Sequence, residues 1–261
     1  MRRAFLAALL LAPSACSEEP PPKPRPGAKP PTVILIANGV VLATGRGAPT
    51  VIGIDPAGPS VSIIVKHDVR THIDAYLLPS AASALPRKEC ETTAGARPDL
   101  SCVRDLPNGV KETLERSAGA RAVALVLREG PGRVDVRLDY DERSRAMSLR
   151  LPQLAPPSGA GVCKDNGCNP IVEMMPLRAG TLRAGATFNG GPARLQVLQG
   201  RVIAKAFTGT GIPYRIAAER IGSSPLNLTA RLDAPGEYAL AFMNEHPSNG
   251  ITSIAVEARW P

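Results

Sequence analysis

Residues 61–77 read VSIIVKHDVRTHIDAYL, and this stretch decides the fold class. Its odd positions are Ile63, Val65, His67, Val69, Thr71, Ile73, Ala75 and Leu77. Its even positions are Ser62, Lys66, Asp68, Arg70, His72 and Asp74, with Ile64 and Tyr76 as exceptions. Successive side chains of a strand point to opposite faces, so a period of two predicts one face in a core and one in water. The run is one long strand or two strands around a tight turn. Working outward, residues 121–127 are apolar on both parities, as in a strand covered on both sides. Residues 133–140 alternate again: Val134, Val136, Leu138 and Tyr140 inward, Arg133, Asp135, Arg137 and Asp139 outward. Residues 141–144, DERS, then turn the chain, and Met147, Leu149 and Leu151 return.

The later sequence repeats this pattern. Strands are expected at 194–198, 202–207, 214–219, 226–232, 238–243 and 251–259. Short strands at such spacing suggest a sandwich. Asn-Gly occurs at 38–39, 108–109, 166–167, 189–190 and 249–250, a pair suited to the positive φ of tight hairpin turns. The one plausible helix, 110–117, is read as a strand. An internal echo links residues 112–140 with 225–260: an exposed strand, an Ala-Gly or Ala-Pro-Gly corner, an apolar strand, a Gly-containing turn, then an alternating strand.

Composition agrees. The chain has 261 residues, 24 Gly and 27 Pro, and is 44% apolar. The apolar share excludes a disordered polyelectrolyte, and Gly without a three-residue period excludes collagen. The formal charge is +8. Aromatics number only four Phe, four Tyr and one Trp, none interleaved with the basic residues. Little is therefore available to stack bases, and nucleic acid is not an expected partner. The same scarcity disfavours an aromatic platform for sugars.

The N-terminus reads MRRAFLAALLLAPSAC. Arg2 and Arg3 precede a nine-residue apolar stretch, 4–12, too short for the ~20 residues of a membrane span. Residues 1–15 are therefore read as a secretory signal peptide. The segment Pro13-Ser14-Ala15-Cys16 resembles a bacterial lipobox, with Pro13 where that pattern usually has Leu. The resemblance implies lipidation of Cys16, and Ser17 is the residue type associated with outer-membrane delivery. Residues 16–31 then form an anchor and spacer. Seven of the twelve residues from 20 to 31 are Pro, which favours extended polyproline II of roughly 35–40 Å. Lys23, Arg25 and Lys29 on it either favour anionic headgroups or simply serve solubility.

Five cysteines are an odd number, and lipidation of Cys16 leaves four. Local disulfides 90–102 and 163–168 are expected, in an oxidising compartment. A zinc site at Cys163 and Cys168 is the weaker reading, for want of a nearby His.

Few residues suggest chemistry. Asp68, His72 and Asp74 form the one His/carboxylate cluster beside His67. On a strand they share a face and come within a metal's reach, above all if the run folds as a hairpin, or else make a solvated polar face. Gly-x-Ser-x-Gly, His-Glu-x-x-His, P-loop and dinucleotide signatures are missing from the sequence. No catalytic residue and no cofactor is assigned.

Asp74-Ala75-Tyr76-Leu77-Leu78, Cys90, Cys102, Glu112-Thr113-Leu114, Ala118-Gly119 and the following strands resemble the bacterial pre-peptidase C-terminal domain family. Residues 226–256, above all Ala234-Pro235-Gly236-Glu237-Tyr238, resemble that family's later half. Ala120 and Arg121 stand where the family often has aromatics. The resemblance implies jelly-roll-like sandwiches serving as accessory modules of secreted or surface proteins, without catalysis.

The expectation is an all-β chain of two tandem jelly-roll or Ig-like sandwich domains. They cover 32–152 and 162–261, joined by a linker at 153–161. The protein is expected to be a non-catalytic lipoprotein of the outer membrane, cell surface or periplasm, held to the membrane by its lipid and binding an envelope protein or polysaccharide. The alternatives are a metal-dependent secreted hydrolase centred on Asp68, His72 and Asp74, and a polysaccharide-binding surface lipoprotein.

Overall fold

A computed structural model describes residues 32–44, 48–80, 85, 102–115, 120–142, 145–154, 171–200, 215–245 and 250–261. The described residues are all-β. The first eight strands are β1 (Thr32–Val41), β2 (Pro49–Lys66), β3 (His72–Leu78), β4 (Cys102–Val103), β5 (Lys111–Glu115), β6 (Ala120–Glu129), β7 (Arg133–Glu142) and β8 (Ala146–Leu154). Then come β9 (Ile171–Leu177), β10 (Gly180–Asn189), β11 (Ala193–Gln199), β12 (Arg215–Gly222), β13 (Leu226–Leu232), β14 (Gly236–Asn244) and β15 (Ile251–Arg259).

Antiparallel pairing sorts these strands into two arms. One runs β5-β2-β7-β1-β9-β14-β11-β12, the other β4-β3-β6-β2-β8-β15-β10-β13. The long strand β2 belongs to both. Its first part pairs β6 through Pro49–Gly53, and its last part pairs β5 and β7 through residues 60–66. The two arms bury their facing side chains in one core. Leu35, Ile63, Leu138, Leu195 and Leu240 come from the first arm, and Ile52, Leu125, Leu149, Leu182 and Val256 from the second. Phe242 meets Phe188 edge-on across the layers, with ring centroids 5.4 Å apart. This is a β-sandwich.

Alternation explains which side chains go in. Val134, Val136, Leu138 and Tyr140 of β7 are buried, as are Ile63, Val65, Ile73, Ala75 and Leu77. Strand β6 is apolar on both parities because both its faces are covered. Val123 and Leu125 face the core, while Ala122, Ala124 and Val126 form a second cluster with Tyr76, Leu78 and Leu85. Cys102 packs against that second cluster.

Three features depart from the sequence reading. Residues 61–77 form two strands, the second of the two readings, but the turn between them is an arch and not a hairpin: the chain leaves the first arm after Lys66 and enters the second at His72. Val69, on the core parity, is 85% exposed at the tip of this arch. Asn38-Gly39 lies inside β1, where the register with β7 shifts between Ala37 and Val40, so this pair makes a bulge instead of a hairpin turn. Gly39 takes the left-handed φ of +69° that the bulge requires, and its N–H donates to Asp135 Oδ1 at 2.7 Å.

The third concerns the two halves. Strand β1 pairs β9, and β8 pairs β15 over residues 146–154, so backbone ladders cross from the first half to the second in both layers. Strand β8 runs to Leu154, into the segment expected as a linker. The physical reason is edge satisfaction: β1 and β8 end the first half's layers, and each would otherwise leave a row of unpaired backbone groups. The remainder of that linker, residues 1–31 with Cys16, the expected strand 202–207, and Cys90, Cys163 and Cys168 lie outside the described residues.

Candidate functional site at the arch end of the sandwich

Three connections meet at one end of the first half. Residues 67–71 carry the chain from β2 to β3, 104–110 from β4 to β5, and 130–132 from β6 to β7. Each crosses between the layers, so their backbone groups find partners in one another. Asp68 shapes the first arch. Its Oδ1 accepts from the Arg70 N–H at 2.9 Å and from Arg70 Nε at 3.1 Å. Its carbonyl accepts from the Thr71 N–H at 2.9 Å. This is the local turn chemistry that Asp favours.

The second arch packs against the first. Leu106 is buried in the core, and its N–H donates to the Ile73 carbonyl at 2.8 Å. The Gly109 N–H donates to the Val65 carbonyl at 2.8 Å, at a left-handed φ of +72°. Asn108 Oδ1 accepts the His67 N–H at 3.1 Å. The His67 ring spans the two arches, with Nδ1 2.8 Å from the Asp68 carbonyl and Nε2 3.1 Å from the Leu106 carbonyl. The third turn closes on the first. Thr71 Oγ1 donates to the Pro131 carbonyl at 3.1 Å, and a Cβ on Gly130 would collide with the Arg70 carbonyl oxygen.

The ionisable groups form a chain across this end. His72 Nδ1 donates to Asp105 Oδ1 at 2.8 Å. The Asp105 N–H donates to Asp74 Oδ1 at 3.0 Å, and Arg128 NH1 donates to Asp74 Oδ2 at 2.8 Å. The Asp74 side chain is 3% exposed, that of Arg128 44%. Asp105 holds a φ of +49°, which brings both its N–H and its carboxylate onto β3. Its hydrogen bond and charge raise His72 above the ordinary imidazole value, with a smaller contribution from Glu129. Arg70 holds the Asp68 carboxyl below its ordinary value, chiefly by hydrogen bonding.

Asp68, His72 and Asp74 therefore do not meet around a common point. Equal parity puts residues on one face only while a strand continues, and the arch at 67–71 breaks the strand between Asp68 and the other two. Asp68 turns to Arg70, His72 to Asp105 and Asp74 to Arg128. Among the described residues no three His, Cys, Asp or Glu side chains group as metal ligands. The sequence reading missed Asp105, Asn108 and Arg128, which come from other connections and strands. Asn108-Gly109 marked a turn but carried no sign of what it would face.

His72 and Asp105 make an oriented imidazole–carboxylate pair. No hydroxyl or thiol is hydrogen-bonded to His72 among the described residues. The pair ties the second arch to β3, and Asp74 with Arg128 does the same from the buried side. What the arrangement does is lock three connections together.

No family model and no curated protein matches the chain. Among solved structures, it is similar to a chain from infectious bursal disease virus strain Gx, at 9% identity and a TM-score of 0.19, over 89% of this chain and 68% of that one. A chain from strain Gt is similar at 10% identity and a TM-score of 0.19, over 90% of this chain and 69% of that one.

Proposed function

We propose that this protein is a lipid-anchored envelope module whose β-sandwich binds or spaces and does not catalyse. The observation that supports this reading is the order of parts: a short apolar leader ending at Cys16, a Pro-rich spacer, then sheets joined by backbone ladders in both layers. A spacer of roughly 35–40 Å suits a body held off a membrane. The resemblance to pre-peptidase C-terminal domains belongs to the same reading, as does an outer-membrane or cell-surface location. The partner is an envelope protein or a polysaccharide. Disulfides 90–102 and 163–168 are part of the proposal, and each would close a loop and restrict the unfolded chain.

The test is metabolic labelling with radioactive palmitate and fractionation of washed membranes. The reading expects label and membrane retention in the wild type and neither in Cys16→Ala. Equal retention of the variant, or an unlabelled wild type, removes the anchor.

A further inference from the structure

The outer face of β13, β10, β15 and β8 carries four exposed arginines, Arg231, Arg183, Arg259 and Arg150. Arg183 on β10 lies directly opposite Arg259 on β15. On its other side Arg183 faces Thr229, and Arg231 faces Thr181. Arg150 on β8 faces Ala255. Two acids share the face: Glu257, 3.7 Å from Arg150, and Asp233, 3.6 Å from Arg231. Arg183 and Arg259 have no carboxylate at ion-pair distance among the described residues.

Like charges directly opposite on a sheet are destabilising. Elsewhere some outward cations are paired: Arg194 is held by Glu245 at 2.6 Å and Glu219 at 3.2 Å, and Arg137 by Asp139 at 2.7 Å. Others, such as Arg121, Arg215 and Arg220, have no carboxylate at ion-pair distance among the described residues. What marks this face is that Arg183 and Arg259 stand directly opposite one another. The side chains around the unpaired arginines are small or polar: Thr181, Thr187, Thr229, Asn227 and Ser148, with Gly185 at the centre. The face has no aromatic to stack a base or a sugar, and no exposed large apolar side chain to anchor a peptide. Four strands give it a width of about 15 Å. A guanidinium is a planar fork of donors that fits phosphate oxygens two at a time.

We propose that this face docks on an anionic phospholipid surface, with Arg183 and Arg259 on headgroup phosphates. Charge complementarity carries the choice: a cationic strand face without an exposed large apolar anchor among the described residues suits a layer of phosphates. The proposal rests on the membrane-anchored reading, since a tether keeps weak electrostatic docking at high local concentration. Arg150 and Arg231, each with an acid nearby, contribute less.

The test uses the full chain carrying Cys16→Ala, so that no lipid contributes, sedimented with vesicles at about 50 mM salt, where screening is weak. The probes are phosphatidylglycerol/phosphatidylcholine vesicles and pure phosphatidylcholine vesicles. Binding is expected to the anionic vesicles alone. The double variant R183A/R259A should lower affinity about 30-fold, taking roughly fivefold for each arginine near the surface. A control with the same loss of charge, R215A/R220A on β12, should stay within about threefold. The melting temperature of R183A/R259A should not fall, because the substitution relieves a like-charge pair. Equal binding to neutral vesicles, equal loss in both double variants, or capture by the anionic polysaccharide polygalacturonate but not by vesicles would overturn the proposal. Vesicle binding by an unlipidated chain does not depend on Cys16, so failure here leaves the palmitate result standing, and the reverse.

Discussion

Replacing Asp74 by alanine removes the one buried carboxylate at the arch end. It accepts the Asp105 N–H at 3.0 Å and Arg128 NH1 at 2.8 Å, with its side chain 3% exposed. Hydrogen bonds to a charged group contribute about 1.5–3 kcal/mol. Breaking a fully buried ion pair costs about 3–5 kcal/mol because the survivor is left unpaired in low dielectric. Arg128 is 44% exposed and recovers much of its hydration, so the cost should fall near the lower of these ranges. The expected loss is about 2–3 kcal/mol for Asp74→Ala, read as a shift of the urea midpoint at unchanged slope. A double-mutant cycle with Arg128→Ala should return about 1 kcal/mol of coupling, and amide exchange at residues 104–110 should quicken in Asp74→Ala. A variant within about 0.5 kcal/mol of the wild type, with that exchange unchanged, would refute the view that Asp74 locks the second arch onto β3.

Gly130→Ala should destabilise the fold by about 2–4 kcal/mol in urea titration, since φ is +91° and the new methyl meets the Arg70 carbonyl; no loss would mean that the two turns are not in contact. Tyr238→Phe should cost about 1 kcal/mol by the same assay, because its hydroxyl donates to the Ala234 carbonyl at 2.8 Å. The His72 value is raised in the fold, so its bridge to Asp105 contributes fully below the unfolded value near 6.5 and fades as pH rises through the raised value. His72→Ala should accordingly lower the melting temperature more at about pH 5 than at about pH 9, and equal effects at both would contradict the bridge.

Much of the sandwich was legible because alternation is a direct consequence of the pleat. The expected strands 226–232 and 251–259 coincide with β13 and β15, and 238–243 lies within β14. The strand reading of 110–117 holds over β5, whose Leu114 alone goes into the core. Strand β10 escaped notice although Leu182, Ala184, Ala186 and Phe188 alternate inward, because Ala and Gly dilute the apolar signal and lack strand propensity. Strand β9 escaped too. The ladders β1–β9 and β8–β15 could not be read at all, since pairing between distant strands leaves no periodic mark on either.

The candidate site was half legible for the same reason. His72 and Asp74 were singled out correctly as neighbours on one strand. Their partners Asp105 and Arg128 lie 33 and 54 residues away from them in sequence, on another arch and another strand. The corner Ala234-Pro235-Gly236-Glu237-Tyr238 stood out as a motif, and its physical content is now plain. The Tyr238 ring is buried at the start of β14 while its hydroxyl ties back to the Ala234 carbonyl. The same sort of link between a strand and the preceding connection recurs in many sandwiches.

Differential scanning calorimetry of the full chain under non-reducing conditions tests most directly whether the two halves fold together. Shared ladders β1–β9 and β8–β15 and a common core predict one transition. Counting the 230 residues from 32 to 261, its calorimetric enthalpy should be about 160 kcal/mol near 60 °C, equal to the van't Hoff value. Two resolved peaks, or a van't Hoff enthalpy about half the calorimetric one, would contradict it.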